Sequence, residues 1–166
     1  MLKYLLGSIV LCLALNLNAA APAVGDMPDN YLGMTIQGDD VLLENYLGKV
    51  VVVSFWASWC APCLQEMPVL DAIQQQVGAD AMQVVAVNFK EDKKRYRKLH
   101  KLLAEASKQL IFTHDELGRI GAAYGVESLP SLFIIGKTGR VALHKIGYGE
   151  SSIDSIVDVL NAELAK

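Results

Sequence analysis

Cysteine is scarce in this chain: three residues in 166, with Cys60 and Cys63 two residues apart and Cys12 inside the first twenty positions. That scarcity excludes a disulfide scaffold, because a bridge across two residues closes a tiny loop and removes little entropy from the unfolded chain. A second ligand pair is missing too. Tetrahedral zinc needs four ligands, of which Cys60 and Cys63 supply two, and His100, His114 and His144 share no ligand spacing, so no zinc site is expected. Covalent haem attachment needs His directly after the second cysteine, and that position is Leu64. Excess positive charge is absent, with 15 Lys and Arg against 18 Asp and Glu, which gives no reason to expect nucleic acid as a partner. Internal repeats and low-complexity segments are absent as well.

What is present suits one folded domain. The length allows a single core, and 52% hydrophobic against 20% charged residues argues against long disordered stretches. Residues 1–20, MLKYLLGSIVLCLALNLNAA, carry Lys3, an apolar stretch from Tyr4 to Leu17 and then small residues, the layout of a secretory signal peptide. The stretch is interrupted by Asn16 and Asn18 and falls short of the ~20 apolar residues that span a bilayer. An uncleaved anchor, attaching the chain to a membrane, is the alternative. Cys12 follows Leu11 where a lipid-attachment site would want a small residue, so a lipoprotein is not expected. Cleavage near Ala19 to Ala21 leaves 21–166 as the domain, with Cys60 and Cys63 as its only thiols.

Periodicity then divides the domain. APAVGDMPDNYLG reads as a linker, and MTIQGDDVLL as a small hairpin about Gly38, Asp39 and Asp40. GKVVVVSFWAS is the continuous apolar pattern of a strand buried on both faces, and AMQVVAVNF is a second one. Between them Leu64, Met67, Leu70, Ile73 and Val77 step by three or four, giving a helix from Ala61 to Val77 that Pro68 should break or kink. The basic run KEDKKRYRKLHK, Lys90 to Lys101, places Tyr96, Leu99, Leu102 and Leu103 at helical spacing, so its cations form the wet face of an amphipathic helix, with docking to an acidic partner or a membrane surface as the alternative. LIFTHDELG holds a short extended piece, RIGAAYGV a short helix, and SLFIIGKTGRVALHKIG a hairpin about Lys137 to Gly139. Ile153, Ile156, Val157, Leu160 and Leu164 stripe a last helix, with Ser151 and Asp154 spaced as a capping-box variant. Strands alternating with helices point to an α/β sheet.

The cysteine pair sits where a buried strand gives way to a helix. At a first helical turn, Cys60 would meet unpaired N–H groups and the positive end of the helix dipole, both of which favour thiolate over thiol. Cys63, one turn on, could then attack a mixed disulfide at Cys60. Pro62 suits that first turn, where a missing N–H costs little. Trp56 and Trp59 flank the approach, at least one of them in the core. Two soft sulfurs also suit Cu(I), so a copper-binding module remains a second reading.

FWASWCAPC after GKVVVV, with EMP following, and the later YGVESLPSLFIIGKTGRV resemble the thioredoxin superfamily, in its extracytoplasmic TlpA, ResA and DsbE (CcmG) branch. The resemblance covers about Val24 to the end. It implies a thioredoxin-like α/β fold, a central mixed sheet flanked by helices with an added N-terminal β-hairpin. It also implies that Pro130, preceded by Leu129, forms a cis peptide facing the cysteines, leaving the Leu129 backbone to pair with an extended substrate segment. Thioredoxin carries a buried acid six residues before its first cysteine, where this chain has Ser54, so the proton-handling group must lie elsewhere. Glu66 matches an acidic residue of the ResA-like branch and is the candidate.

The implied function is a periplasmic thiol-disulfide oxidoreductase that reduces protein disulfides, for example in cytochrome c maturation. Cys60 attacks, Cys63 resolves, Glu66 assists proton transfer, and Trp59, Pro62, Leu129 and Pro130 shape the substrate groove. A membrane thiol-electron donor would recharge it. No motif requires a cofactor. The opposite direction, as an oxidant or isomerase, stays open, because a few residues around the pair set the thermodynamics.

Overall fold

The computed structural model describes residues 20–166, so the expected signal peptide or anchor lies outside the described residues except for Ala20. Among the described residues, no helix is long and apolar enough to cross a membrane. In chain order the elements are β1 (Tyr31–Met34), β2 (Asp40–Leu42), a 3₁₀ turn (Leu43–Tyr46), β3 (Val50–Trp56), α1 (Ala61–Val77), β4 (Met82–Phe89), α2 (Lys93–Ala106), β5 (Ile111–Asp115), α3 (Arg119–Ala123), β6 (Ser131–Ile135), β7 (Val141–Ile146) and α4 (Glu150–Leu164).

Seven strands form one mixed sheet in the order β2-β1-β5-β4-β3-β6-β7. The inner β5, β4 and β3 run parallel, while β6 and β7 on one side and β1 and β2 on the other are antiparallel to their neighbours. VVVVSFW and MQVVAVNF are the two central strands, buried at every position, as their unbroken apolar pattern requires. Strand geometry sends alternate side chains to opposite faces. Val50, Val52 and Trp56 meet Met67, Leu70, Tyr96, Ile156 and Leu160 from α1, α2 and α4. Val51, Val53 and Phe55 meet Leu32, Ile120, Tyr124 and Phe133 on the other face. There the Phe55 ring lies 6.3, 5.4 and 6.2 Å from Phe89, Tyr124 and Phe133. Such pairs add about 0.5–1.5 kcal/mol beyond their area burial.

Because β3, β4 and β5 are parallel, the loops after them gather at one edge of the sheet, where α/β sheets place their ligand crevices. Residues 57–60, 90–92 and 116–118 share this edge.

Three expectations need correction. The lead-in is no linker: the Gly25 N–H donates to Val141 O at 2.8 Å, the Val141 N–H donates to Asp26 O at 2.9 Å, and Tyr31–Gly33 already belongs to β1. Edge strands offer backbone partners to a passing segment whatever its own pattern, so Pro and Gly did not signal looseness here. Helix α1 is not broken at Pro68 but runs on to Val77. Proline removes one intrahelical hydrogen bond there, and burial of Met67 and Leu70 on either side holds the helix together. Finally, α4 starts at Glu150 with Gly149 as its N-cap, so Ser151 lies inside the helix and not at the capping position the sequence suggested.

Helix α2 is amphipathic, with Tyr96 buried, Leu99 and Leu103 half-buried and the lysines and arginines exposed, but Leu102, expected in the apolar stripe, is 61% exposed because its position turns it to the solvent side. Its cations carry a cost. Lys93, Lys94 and Arg95 occupy the first turn, where the helix dipole disfavours positive charge, and the acid at that end is the N-cap Asp92, which accepts the Arg95 N–H at 3.0 Å. Lys93–Arg97, Lys94–Lys98 and Arg97–Lys101 are like-charge pairs four apart, each destabilising by about 0.2–0.5 kcal/mol.

Candidate active site

Strand β3 delivers the chain to the sheet edge, Ala57–Cys60 turns it, and α1 begins. Cys60 is the N-cap of α1, with Pro62 in the first turn. Its sulfur is joined to Cys63 by a 2.04 Å disulfide and accepts the Cys63 N–H at 3.3 Å. The bond is nearly hidden, since Cys60 is 4% exposed and Cys63 0%. Around it the rim is open: Trp59 is 66% exposed and Pro62 also faces solvent. The two tryptophans flanking the loop thus divide, Trp56 to the core and Trp59 to the surface.

The antiparallel register Phe55↔Ser131 brings Pro130 to the level of Trp56, beside the cysteine loop. The Leu129–Pro130 peptide is cis, and Leu129 packs against the buried cluster containing Cys60 and Cys63. Pro130 O accepts the Gly147 N–H at 2.8 Å. Among the described residues, neither N–H nor C=O of Leu129 has a backbone partner. An extended peptide laid there would find a donor and an acceptor.

Glu66 is 1% exposed and stands one turn beyond Cys63 on α1. Ser54 Oγ donates to Glu66 Oε2 at 2.7 Å, while Oε1 has no partner among the described residues. Burial pushes this carboxyl up from its ordinary 4.5 to about 7, a rise that the Ser54 hydrogen bond opposes. Near neutral pH it therefore populates both protonation states, as an acid–base group must. Tyr148, after β7, has its hydroxyl pushed up by burial first and by the Glu66 charge second. Ser54 holds the position at which the resemblance noted an acid in thioredoxin. Helix α1 supplies a carboxyl to that same place from twelve residues downstream.

Sequence reasoning missed Glu91. Lys90 takes a left-handed backbone, φ 54°, and turns the chain after β4 so that Glu91 reaches back to the cysteine loop. Glu91 Oε2 accepts the Ser58 N–H at 2.7 Å and Asn88 Nδ2 at 2.7 Å, and Oε1 accepts the Ser58 hydroxyl. Arg95 Nε stands 3.8 Å from Oε1. Glu91 is 5% exposed, so a buried carboxylate clamps the residue two before Cys60. An acid placed just after an apolar strand ending in Asn88-Phe89 was the available signal. His100 and His114, far apart in sequence, both pack on Tyr96, and His114 Nε2 lies 2.8 Å from Glu91 O.

Comparison with known proteins follows the same lines. The Redoxin family model matches residues 22–160. Thioredoxin-like protein YneN of Bacillus subtilis (strain 168) is 33% identical over 117 residues, 70% of this chain and 68% of that protein. Thiol-disulfide oxidoreductase ResA of Geobacillus thermodenitrificans (strain NG80-2) is 31% identical over 121 residues, 73% of this chain and 68% of that protein. The crystal structure of a thiol:disulfide interchange protein, DsbE, from Chlorobium tepidum superposes with a TM-score of 0.75 at 32% identity, covering 87% of this chain and 99% of the other. A thioredoxin-like fold, a cysteine pair at a helix start and these likenesses agree, and the chain belongs to the redoxin family, among its thiol-disulfide oxidoreductases.

Proposed function

We propose that this protein reduces disulfides of other proteins in the cell envelope through the Cys60/Cys63 dithiol. The observation that carries the reading is a cysteine pair at the N-terminus of α1 with the buried, near-neutral Glu66 carboxyl one turn further along. In the reduced protein the Cys60 thiolate attacks one sulfur of a substrate disulfide, forming a mixed disulfide and releasing the other sulfur as a thiolate. The Cys63 thiol passes its proton to Glu66, and the resulting thiolate attacks Cys60 Sγ. The substrate leaves with its second sulfur as a thiolate that takes up a proton, and two electrons have moved from the dithiol to the substrate. The helix N-terminus favours the Cys60 thiolate. Trp59 and Pro62 form the outward rim, and Leu129 with Pro130 offers backbone to the substrate strand.

The signal-peptide layout of residues 1–20 supports an envelope, periplasmic location, with an uncleaved anchor as the alternative. A membrane thiol-electron donor recharges the pair, and apocytochrome cysteines during cytochrome c maturation are a fitting substrate class.

Equilibration of the Cys60/Cys63 couple against defined thiol buffers tests the direction. A potential near the thioredoxin end, about −270 mV, supports a reductant, and one near the DsbA end, about −120 mV, overturns that direction in favour of an oxidant or isomerase. Cys60→Ser is expected to abolish insulin reduction and Cys63→Ser to trap mixed disulfides; unchanged reduction by Cys60→Ser would sink the mechanism.

A further inference from the structure

Seven of the 15 Lys and Arg residues of an otherwise acidic chain fall in the twelve positions 90–101. On α2, Lys93, Lys94, Arg95, Arg97, Lys98 and Lys101 are all exposed. Among the described residues, the one ion pair any of them makes is the 3.8 Å contact from Arg95 to Glu91. This face persists against the helix dipole and against its own like-charge pairs, so local stability does not account for it. A shallow hollow lined by Asp92, Lys94, Arg95, Arg97 and Lys98 lies on it.

Its position is the second observation. Helix α2 begins at the sheet edge where the cysteine loop lies, and Arg95, Glu91 and Ser58 form a continuous chain of contacts ending two residues before Cys60. A molecule seated on the first two turns of α2 is therefore carried beside the exposed Trp59 and the disulfide. Trp59 at 66% and Leu117 at 69% exposure give that edge apolar contacts to go with the charge. A lipid surface would have use for the cations and for Trp59 and Leu117 but none for a redox-active pair, whereas all three on one edge suit a protein that carries a disulfide.

We propose that the α2 cationic face docks an acidic redox partner, a protein carrying Asp and Glu around its own disulfide, and steers it onto Cys60. This rests on the reductase reading above and names its preferred substrate class. Exchange balances as before: the partner disulfide gains two electrons and leaves as one thiolate and one thiol, the Cys63 proton passes to Glu66, and Cys60 and Cys63 become a disulfide. Steering acts on encounter, so it shows in the association rate and fades as salt screens it.

The test uses the reduced full chain and three synthetic peptides of equal length, each with one disulfide flanked by Asp and Glu, by Ser and Gly, or by Lys. Second-order rate constants are measured at ionic strengths of about 10 mM and 1 M, where the screening length is ~30 Å and ~3 Å. At low salt the acidic peptide is expected to react about tenfold faster than the neutral one, the low end of the steering range, and the Lys peptide more slowly; the differences collapse at high salt. Lys94→Glu/Arg97→Glu/Lys98→Glu is expected to reverse the order of the acidic and Lys peptides, with circular dichroism checking its fold. Wild-type salt dependence stands as evidence independent of that variant. Equal low-salt rates for the three peptides overturn the inference while leaving the reductase reading intact, and no exchange with any peptide overturns both. Equal rates together with salt-sensitive sedimentation on phosphatidylglycerol vesicles overturn it in favour of a lipid surface.

Discussion

Replacing Glu66 by Gln should change how the stability of the oxidised protein depends on pH. Glutamine keeps the size of the side chain and can still hydrogen-bond Ser54, but it cannot titrate. In the folded wild type the carboxyl is raised from 4.5 to about 7, chiefly by burial, so the folded state holds a proton that the unfolded chain releases. Stability from this group is therefore fully present below about 4.5 and is lost as pH rises through about 7. The shift is worth about 1.4 kcal/mol per pH unit, or about 3 kcal/mol across the window. His100 and His144 work the other way: burial pushes both down, so their contribution is lost as pH falls. A single pH curve mixes these effects, whereas the difference between the Glu66→Gln protein and the wild type isolates the carboxyl. Denaturant unfolding at intervals from pH 4 to 8.5 should show that difference growing in favour of the variant between about 4.5 and 7, then levelling off. A difference that stays flat across the window would refute a buried, proton-holding Glu66.

Two further expectations concern packing and the cysteine loop. Glu91→Ala leaves the Ser58 and Asn88 donors without their acceptor and should cost about 3 kcal/mol in denaturant unfolding, with faster hydrogen exchange at the Ser58 amide; unchanged exchange would count against a clamp. Gly121→Ala in α3 would drive a methyl into Phe89 Cε2, on a ring wedged edge-on to Phe55, and should cost about 2 kcal/mol by overpacking despite the better helix propensity of alanine. A thermal midpoint equal to that of the wild type would show that Phe89 yields freely.

The fold was legible where pattern is local. Four consecutive valines ahead of Ser54 and Phe55 announced β3, and the three-to-four spacing of Leu64, Met67 and Leu70 announced α1, because strand and helix periods follow from backbone geometry alone. The hairpin about Lys137–Gly139 was legible for the same reason, between β6 and β7. What escaped notice depends on contacts between distant residues. Nothing near Gly25 says that Val141 waits to pair with it, and nothing near Glu91 says that Ser58, 33 residues earlier, needs an acceptor. At Pro68 a break did not follow, because the local rule counts the lost hydrogen bond and omits the burial of its neighbours. At the site, the pair and Glu66 were nameable from residue types and resemblance, while the Ser54–Glu66 bond was not, since it joins a strand to a helix across the turn between them.

The division between the two tryptophans has an optical consequence. Trp56 is sealed in the core against Phe112, 6.1 Å away and nearly perpendicular, whereas Trp59 stands in water next to Cys60. Indole emission depends on the polarity around the ring, so the chain carries two chromophores of different colour. One keeps its emission until the core opens, and the other changes as soon as something settles over the cysteines. With Trp59→Phe and Trp56→Phe reading each alone, unfolding and docking become separable signals in a protein that needs no added label.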